Sequence, residues 1–282
     1  MKTFLLLGVL TVMLVLIGSI FGEQGMKIAF LFALVMNGFS YFFSDRLVLA
    51  MYRARQISYS DYPVVYNIMG ELTQKAGMPM PKLYLISSAT PNAFATGRDP
   101  QHSAVAVTTG ILDLLSENEL KGVLAHELSH VKDRDILIAT IAATIAGAIT
   151  FIARMVQWGA MFGGMGGRND RREGGNVIGL AGMLLFAVLA PLAALIVQLA
   201  ISRSREYLAD SEGGKLAGNP LYLSSALRKL TEGVKYHPMR NANPSTAHLF
   251  IVAPIAGKSL LNLFSTHPPM EERIRRLENL AV

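Results

Sequence analysis

Cysteine is absent from all 282 residues, which excludes a disulfide framework and leaves His, Asp and Glu as the side chains able to build a metal site. Charge is scarce: 16% of residues are charged while 51% are hydrophobic, against roughly 25% charged in ordinary soluble domains. Mean hydropathy is +0.37. A disordered chain is excluded by that balance, and a wholly water-soluble enzyme is disfavoured because the apolar residues gather into long runs. Acidic residues are fewer than basic ones, 20 against 26, for a formal net charge of +6. No block of Lys and Arg interleaved with aromatics accompanies that excess, so it speaks for anionic membrane lipids and not for nucleic acid.

What is present in place of charge is four apolar runs, at residues 4–21, 28–43, 136–162 and 177–201. A crossing needs about 20 apolar residues. The first and fourth runs reach that length directly. The second reaches it when extended to Tyr52 with Asp45 and Arg46 at the interface, and the third carries Arg154 near its far end, where a long cation can snorkel to headgroups. Lys2 ahead of an apolar core could mark a cleaved secretory signal, but the core is long and no A-x-A-like site follows. The next run starts almost at once after residues 22–27, which predicts a retained helical hairpin. Arg46, Arg53, Arg55, Lys75 and Lys82 follow the second run, and Arg203, Arg205, Lys215, Arg228 and Lys229 follow the fourth. That bias puts both polar segments and both termini in the cytoplasm, as in a multi-pass protein of a bacterial-type inner membrane.

Within the first polar segment, residues 61–76 read as a helix with Pro63 in its first turn and Gly77 as its stop. Residues 82–87 and 104–108 are short β-type runs joined by a Pro/Asn/Gly/Asp-rich connection, which predicts a hairpin. Ser116 with Glu119 three residues later forms a capping box that opens a further helix. The last segment reads as helical, broken at Pro220, Pro238, Pro244 and Pro268.

That second helix carries His126-Glu127-Leu128-Ser129-His130. Residues four apart share a helix face, so both imidazoles can bind one Zn²⁺ while Glu127 lies close enough to take a proton from an activated water. A catalytic zinc needs a third protein ligand and an open position. Glu206 and Asp210, four apart just after the fourth run, supply two acids on one helix face. Glu206 can face the metal while Asp210 supports it from one turn along, with Arg203 and Arg273 as candidate outer partners of these carboxylates; solvated surface charge is the alternative for each.

Together the membrane hairpin at the start, Asn92-Ala93-Phe94-Ala95, the motif at residues 123–130, the run Ser202-Arg203-Ser204-Arg205-Glu206-Tyr207-Leu208-Ala209-Asp210, and Thr266-His267-Pro268-Pro269 resemble the HtpX-type membrane zinc metalloproteases, relatives of the type 1 CAAX prenyl proteases. The resemblance covers essentially the whole chain. It implies one Zn²⁺ held by His126, His130 and Glu206, Glu127 as general base, and an edge strand through Asn92, Ala93 and Phe94 along which a polypeptide substrate lies. A quality-control role against misfolded membrane proteins is likewise implied only by the resemblance. His267 is open between an oxyanion donor and a structural cap of the following helix.

The expected fold is a mainly α membrane protein: four transmembrane helices and a cytoplasmic α+β zincin-like catalytic domain with a small sheet. Its parts are a transmembrane hairpin at 1–52, a catalytic part at 53–135, a second hairpin at 136–201 and a helical catalytic part at 202–282. Helices continuing unbroken from His130 into the third run, and from the fourth run to Glu206, would place both ligands at matching heights above the membrane. Two rivals are a CAAX-type processing protease, which would need more spans, and a non-enzymatic membrane protein with a structural zinc site, for which Glu127 is badly placed as a fourth ligand.

Overall fold

The computed structural model describes residues 22–141, 203–239, 249–252 and 268–281, with Thr246 and scattered positions among residues 7–19. Most of the third and fourth apolar runs, the Gly-rich turn at 163–175 and His267 lie outside the described residues.

The second apolar run belongs to one long helix, α1 (Gly22–Met51), of 30 residues and mean hydropathy 1.5 over its most apolar window. At about 1.5 Å per residue it spans roughly 45 Å, enough to cross a bilayer. Helical structure already begins at Gly22, so the connection expected over residues 22–27 is shorter than the sequence suggests. Of the polar residues inside this run, Asn37 has partners: its Nδ2 donates to Thr11 Oγ1 at 2.8 Å and to Leu7 O at 3.3 Å, joining α1 to helical residues of the first run. Large apolar side chains such as Ile28, Leu31 and Val35 are exposed on α1, as a lipid-facing surface requires.

Beyond α1 the chain forms a four-stranded mixed sheet packed on helices. The strands are β1 (Arg55–Gln56), β2 (Lys82–Ile86), β3 (Ala93–Gly97) and β4 (Ser103–Thr108), in the order β1-β2-β4-β3. β2 runs parallel to β4, and β3 antiparallel to it. The hairpin expected between residues 82–87 and 104–108 is therefore corrected: the connection contains a strand of its own, and the hairpin is β3 with β4. Small side chains in β3, three of them Ala or Gly, hid it from a pattern that looks for β-branched and aromatic residues.

Helix α2 (Pro63–Ala76) has Pro63 in its first turn and ends at Gly77 in the left-handed region, φ 63°. A short helix α3 (Thr109–Leu114) leads to α4 (Glu117–Lys132), whose start shows both halves of the capping box. α5 (Arg203–Ala217), α6 (Pro220–Tyr236), with Pro220 in its first turn, and α7 (Met270–Leu280) complete the described helices. α4 is the hub, packing on α5, α6, α2 and β3. Leu120, Val123, Leu124, Leu128 and Val131 form its apolar face in the main core, beside Leu223, Leu227 and Leu230 of α6. Two glycines permit the closeness. A Cβ on Gly213 would stand 2.7 Å from His126 Cα, and one on Gly122 would stand 2.6 Å from Leu223 N.

The expectation of an unbroken helix from His130 into the third run is corrected too. α4 ends at Lys132, Arg134 takes φ 58°, and helical residues resume only at 135–141. A left-handed residue cannot continue an α-helix, so the height argument from axial rise does not apply across this joint.

Glu119 ties the start of α4 to α6. Its carboxylate accepts from Ser116 N at 2.8 Å, Ser225 Oγ at 2.7 Å and Lys229 Nζ at 2.8 Å. Burial opposes its ionisation, but Lys229 and the serine donors outweigh burial and hold the carboxyl at about 2, below its ordinary 4.5. A depressed folded-state pKa stabilises the fold above pH 4.5, and that contribution is lost as pH falls toward 2. Glu119→Gln should therefore destabilise by about 1–3 kcal/mol at pH 7, and denaturant unfolding in detergent micelles should show the gap between variant and wild type closing as pH drops through that window.

Candidate metal and proteolytic centre

α4 and α5 bring three metal-ligating side chains to one point. His126 Nε2 and His130 Nε2 face each other at 3.2 Å, and His130 Nε2 lies 3.5 Å from Glu206 Oε1. One ligand atom from each of His126, His130 and Glu206 lies within 4.8 Å of the others. Two imidazole nitrogens this close need a proton or a cation between them. A tetrahedral shell with bonds of about 2.0–2.1 Å sets its donors roughly 3.3 Å apart, so the spacing fits a shared metal.

The far nitrogens agree. His126 Nδ1 is 3.0 Å from Asp210 Oδ1, outside good hydrogen-bond alignment, and His130 Nδ1 is 3.9 Å from Asp135 Oδ2. Each imidazole thus turns one nitrogen inward and the other toward a carboxylate, as metal-bound histidines do. Burial alone would lower the His130 pKa, but Asp135, Glu206 and Glu127 together raise it to about 9.

Arg273 and Asp210 form the support beneath. Arg273 Nε donates to Asp210 Oδ2 at 2.8 Å and Nη2 to Oδ1 at 2.7 Å, a bidentate pair with both side chains buried. Burial disfavours both charges, yet their mutual attraction prevails: the Asp210 carboxyl is held well below its ordinary range and the guanidinium well above. Arg273 also stands 3.9 Å from Glu206 Oε2. Arg203, by contrast, is exposed, and the arginine of that run that approaches the site is Arg205, which donates to Asp135 at 2.7 Å.

Glu127 is buried beside His126 and points toward the sheet, where its Oε2 accepts from Ala95 N at 2.8 Å. Burial raises its pKa, opposed by the two imidazoles and reinforced by Glu206. β3 is the edge strand of the sheet. The side chains of Asn92 and Phe94 do not project outward from it: Asn92 is fully buried with its amide on Val252, and Phe94 meets Phe250 edge-to-face at 5.1 Å.

Sequence reasoning did not find Asp135, Arg205, the Ala95 contact or the docking of residues 249–252. A signal for the last exists: Leu249-Phe250-Ile251-Val252 is a β-type apolar run ahead of a proline at 254.

This geometry has named relatives. Residues 62–281 match Peptidase family M48. A Protease HtpX homolog from Syntrophobacter fumaroxidans is 54% identical over 280 residues, covering 99% of this chain and 98% of the relative. The corresponding protein of Thermodesulfovibrio yellowstonii is 56% identical over 282 residues, and that of Thermococcus sibiricus 50% identical over 282 residues, each covering 100% of this chain. Among solved structures, the crystal structure of S. mikatae Ste24p superposes with a TM-score of 0.52 at 20% identity, over 96% of this chain. This chain spans 62% of that longer one, and the likeness is one of fold. The His-His-Glu cluster, the buried glutamate beside it and the family match together make the chain a member of the metal-dependent peptidase family M48, of the HtpX type.

Proposed function

We propose that this protease is a zinc endopeptidase that cuts polypeptides at the cytoplasmic face of the membrane, with His126, His130 and Glu206 holding the ion. The observation that carries the reading is the position of Glu127, which sits next to the ligand cluster and touches the sheet edge through Ala95 N. A closed structural zinc site has no use for a carboxylate between its ligands and a strand edge. A zinc ion there would supply the Lewis acid that polarises the scissile carbonyl and acidifies the attacking water.

The chain's own groups do the rest. An extended segment lying along β3 pairs its backbone with the outward groups of the strand and is positioned through main-chain hydrogen bonds, which tolerate varied side chains. Glu127 takes a proton from the water as its oxygen bonds to the carbonyl carbon, then delivers it to the amine nitrogen as the C–N bond breaks. Asp210 orients His126, and Arg273 neutralises Asp210 so that the buried carboxylate is not left as an uncompensated charge. His267 keeps both assignments, oxyanion donor or helix cap. Four spans with a catalytic part built from residues 53–135 and 202–282 would set this centre close to the bilayer, favouring membrane proteins and their juxtamembrane tails as substrates.

Glu127→Gln removes the base and none of the three ligands. Cleavage of an unfolded reporter should fall by about 10²-fold or more while zinc content stays at the wild-type level, and turnover within tenfold of wild type would refute the role.

Removing a ligand has a different signature. In Glu206→Ala two imidazoles are left to hold the ion, so both metal occupancy and activity should drop; full occupancy by elemental analysis would put the third ligand elsewhere.

Topology can be read cleanly because the chain has no native cysteine. Single cysteines at Tyr59 and Leu280 should resist an impermeant maleimide in intact cells, and one placed within residues 163–175 should react. Labelling of the first two would reverse the orientation.

A further inference from the structure

Alternation fixes which groups β3 turns outward. Asn92 O accepts Thr108 N at 3.0 Å on the β4 side, so Ala93, Ala95 and Gly97 present their backbone groups to the open edge. At the Ala93 end that edge is already taken by the chain itself. Ala93 O accepts Ile251 N at 3.1 Å. Asn92 grips the next residue with both ends of its amide: Nδ2 donates to Val252 O at 2.7 Å, and Oδ1 receives Val252 N at 3.4 Å. A side-chain amide used in this way reproduces the donor and acceptor that a strand residue would offer. From the other side Arg273 Nη1 donates to Ile251 O at 3.2 Å.

The side chains of this segment are shared between the two cores. Phe250, beside Leu249, packs against Phe94 and Tyr52 at ring separations of 5.1 and 5.0 Å, while Ile251 and Val252 join the core that holds Ala93 and Ala95. Asn92, Phe250, Ile251 and Val252 are all buried. At its other end β3 stops at Gly97, whose φ of 136° and absent Cβ let the chain turn: a Cβ there would lie 2.3 Å from His102 O. The stretch of edge without a strand partner among the described residues is thus short, residues 95–97; Ala95 N is given to Glu127 Oε2, which leaves Ala95 O and Gly97 to meet a substrate backbone.

We propose that Asn92 is a specificity-determining residue: by clamping residues 250–252 onto the Ala93 end of β3, it stops substrate pairing there and confines main-chain recognition to residues 95–97. The inference rests on the reading of β3 as the substrate edge. The enzyme then reads a long extended stretch on at most one side of the scissile bond, and its substrates need only a short locally extended segment, such as an exposed loop or tail. Asn92 acts through the backbone of residues 251–252 and does not itself touch substrate.

The test uses the zinc-loaded full chain in detergent and two peptide series, lengthened one residue at a time on the N-terminal or the C-terminal side of one fixed scissile bond. For wild type, kcat/KM should level off within twofold after the second residue on one side. With Asn92→Ala it should keep rising on that side, by about three- to tenfold per added hydrogen-bonded residue. Ile251→Pro, which removes the donor to Ala93 O and leaves Asn92 in place, should give the same profile. Retained metal content shows which variants are folded, and the wild-type series decides by itself if neither is. A wild-type rate that climbs on both sides through four residues overturns the proposal, as do folded variants whose profiles match wild type. No cleavage of any peptide, or no length dependence on either side, removes the edge-strand reading beneath it.

Discussion

The buried guanidinium of Arg273 is the constraint around which the catalytic half is arranged. A fully desolvated cation is costly unless it is paired with good geometry and its remaining donors are satisfied. Asp210 answers with a bidentate pair, Glu206 stands nearby, and the carbonyl of Ile251 takes a further donor. One side chain on α7 thereby reaches α5, the imidazole of His126 on α4, and the segment that closes the sheet edge. The His-His-Glu cluster, its carboxylate support and the edge of the sheet at β3 are coupled through a charge that could not remain there if any of these elements moved away alone.

Close helix packing serves the same end by a different route. Ligands on two helices can meet on one ion only if the backbones approach, and Gly213 lets α5 lie against α4 beside His126 itself. Glu119 then fixes α4 from its other end to α6. α4 is held at its start by a capping box and along its length by apolar packing, which leaves little freedom for Glu127 to drift from Ala95.

Local patterns in the sequence carried α2, α4 and the pairing of His126 with His130 well. Pro63, Gly77, the Ser116 and Glu119 pair, and the His-Glu-x-x-His spacing each depend on residues within a few positions of one another, and each appears in the structure as expected. What escaped depends on distance along the chain. Asn92 meets Val252 across 160 positions, and Asp135 meets Arg205 across 70; no local rule anticipates either. β3 is the edge strand that the resemblance implied, but the local pattern alone did not pick it out, because strands are recognised by bulky side chains and three of its five residues are Ala or Gly. The parallel pairing of β2 with β4 followed from that omission.

The break at Asp133 and Arg134 has a mechanical meaning. A helix in a bilayer changes its tilt when the hydrocarbon thickness changes. A rigid rod running from membrane to metal would carry that rotation straight into His130. Here helical residues 135–141 meet α4 through a two-residue joint in which Arg134 is left-handed, and the ion pair of Asp135 with Arg205 bridges to α5 just beyond that joint. A tilt of residues 135–141 would thus be taken up by backbone torsion outside the cluster of His126, His130 and Glu206. The strut that crosses to the neighbouring helix is electrostatic and can lengthen, while the imidazoles stay fixed to the core of α4. Were the third run to cross a bilayer, a centre mounted this way would keep its geometry in membranes of unequal thickness, much as a gimballed instrument stays level while its mount rolls.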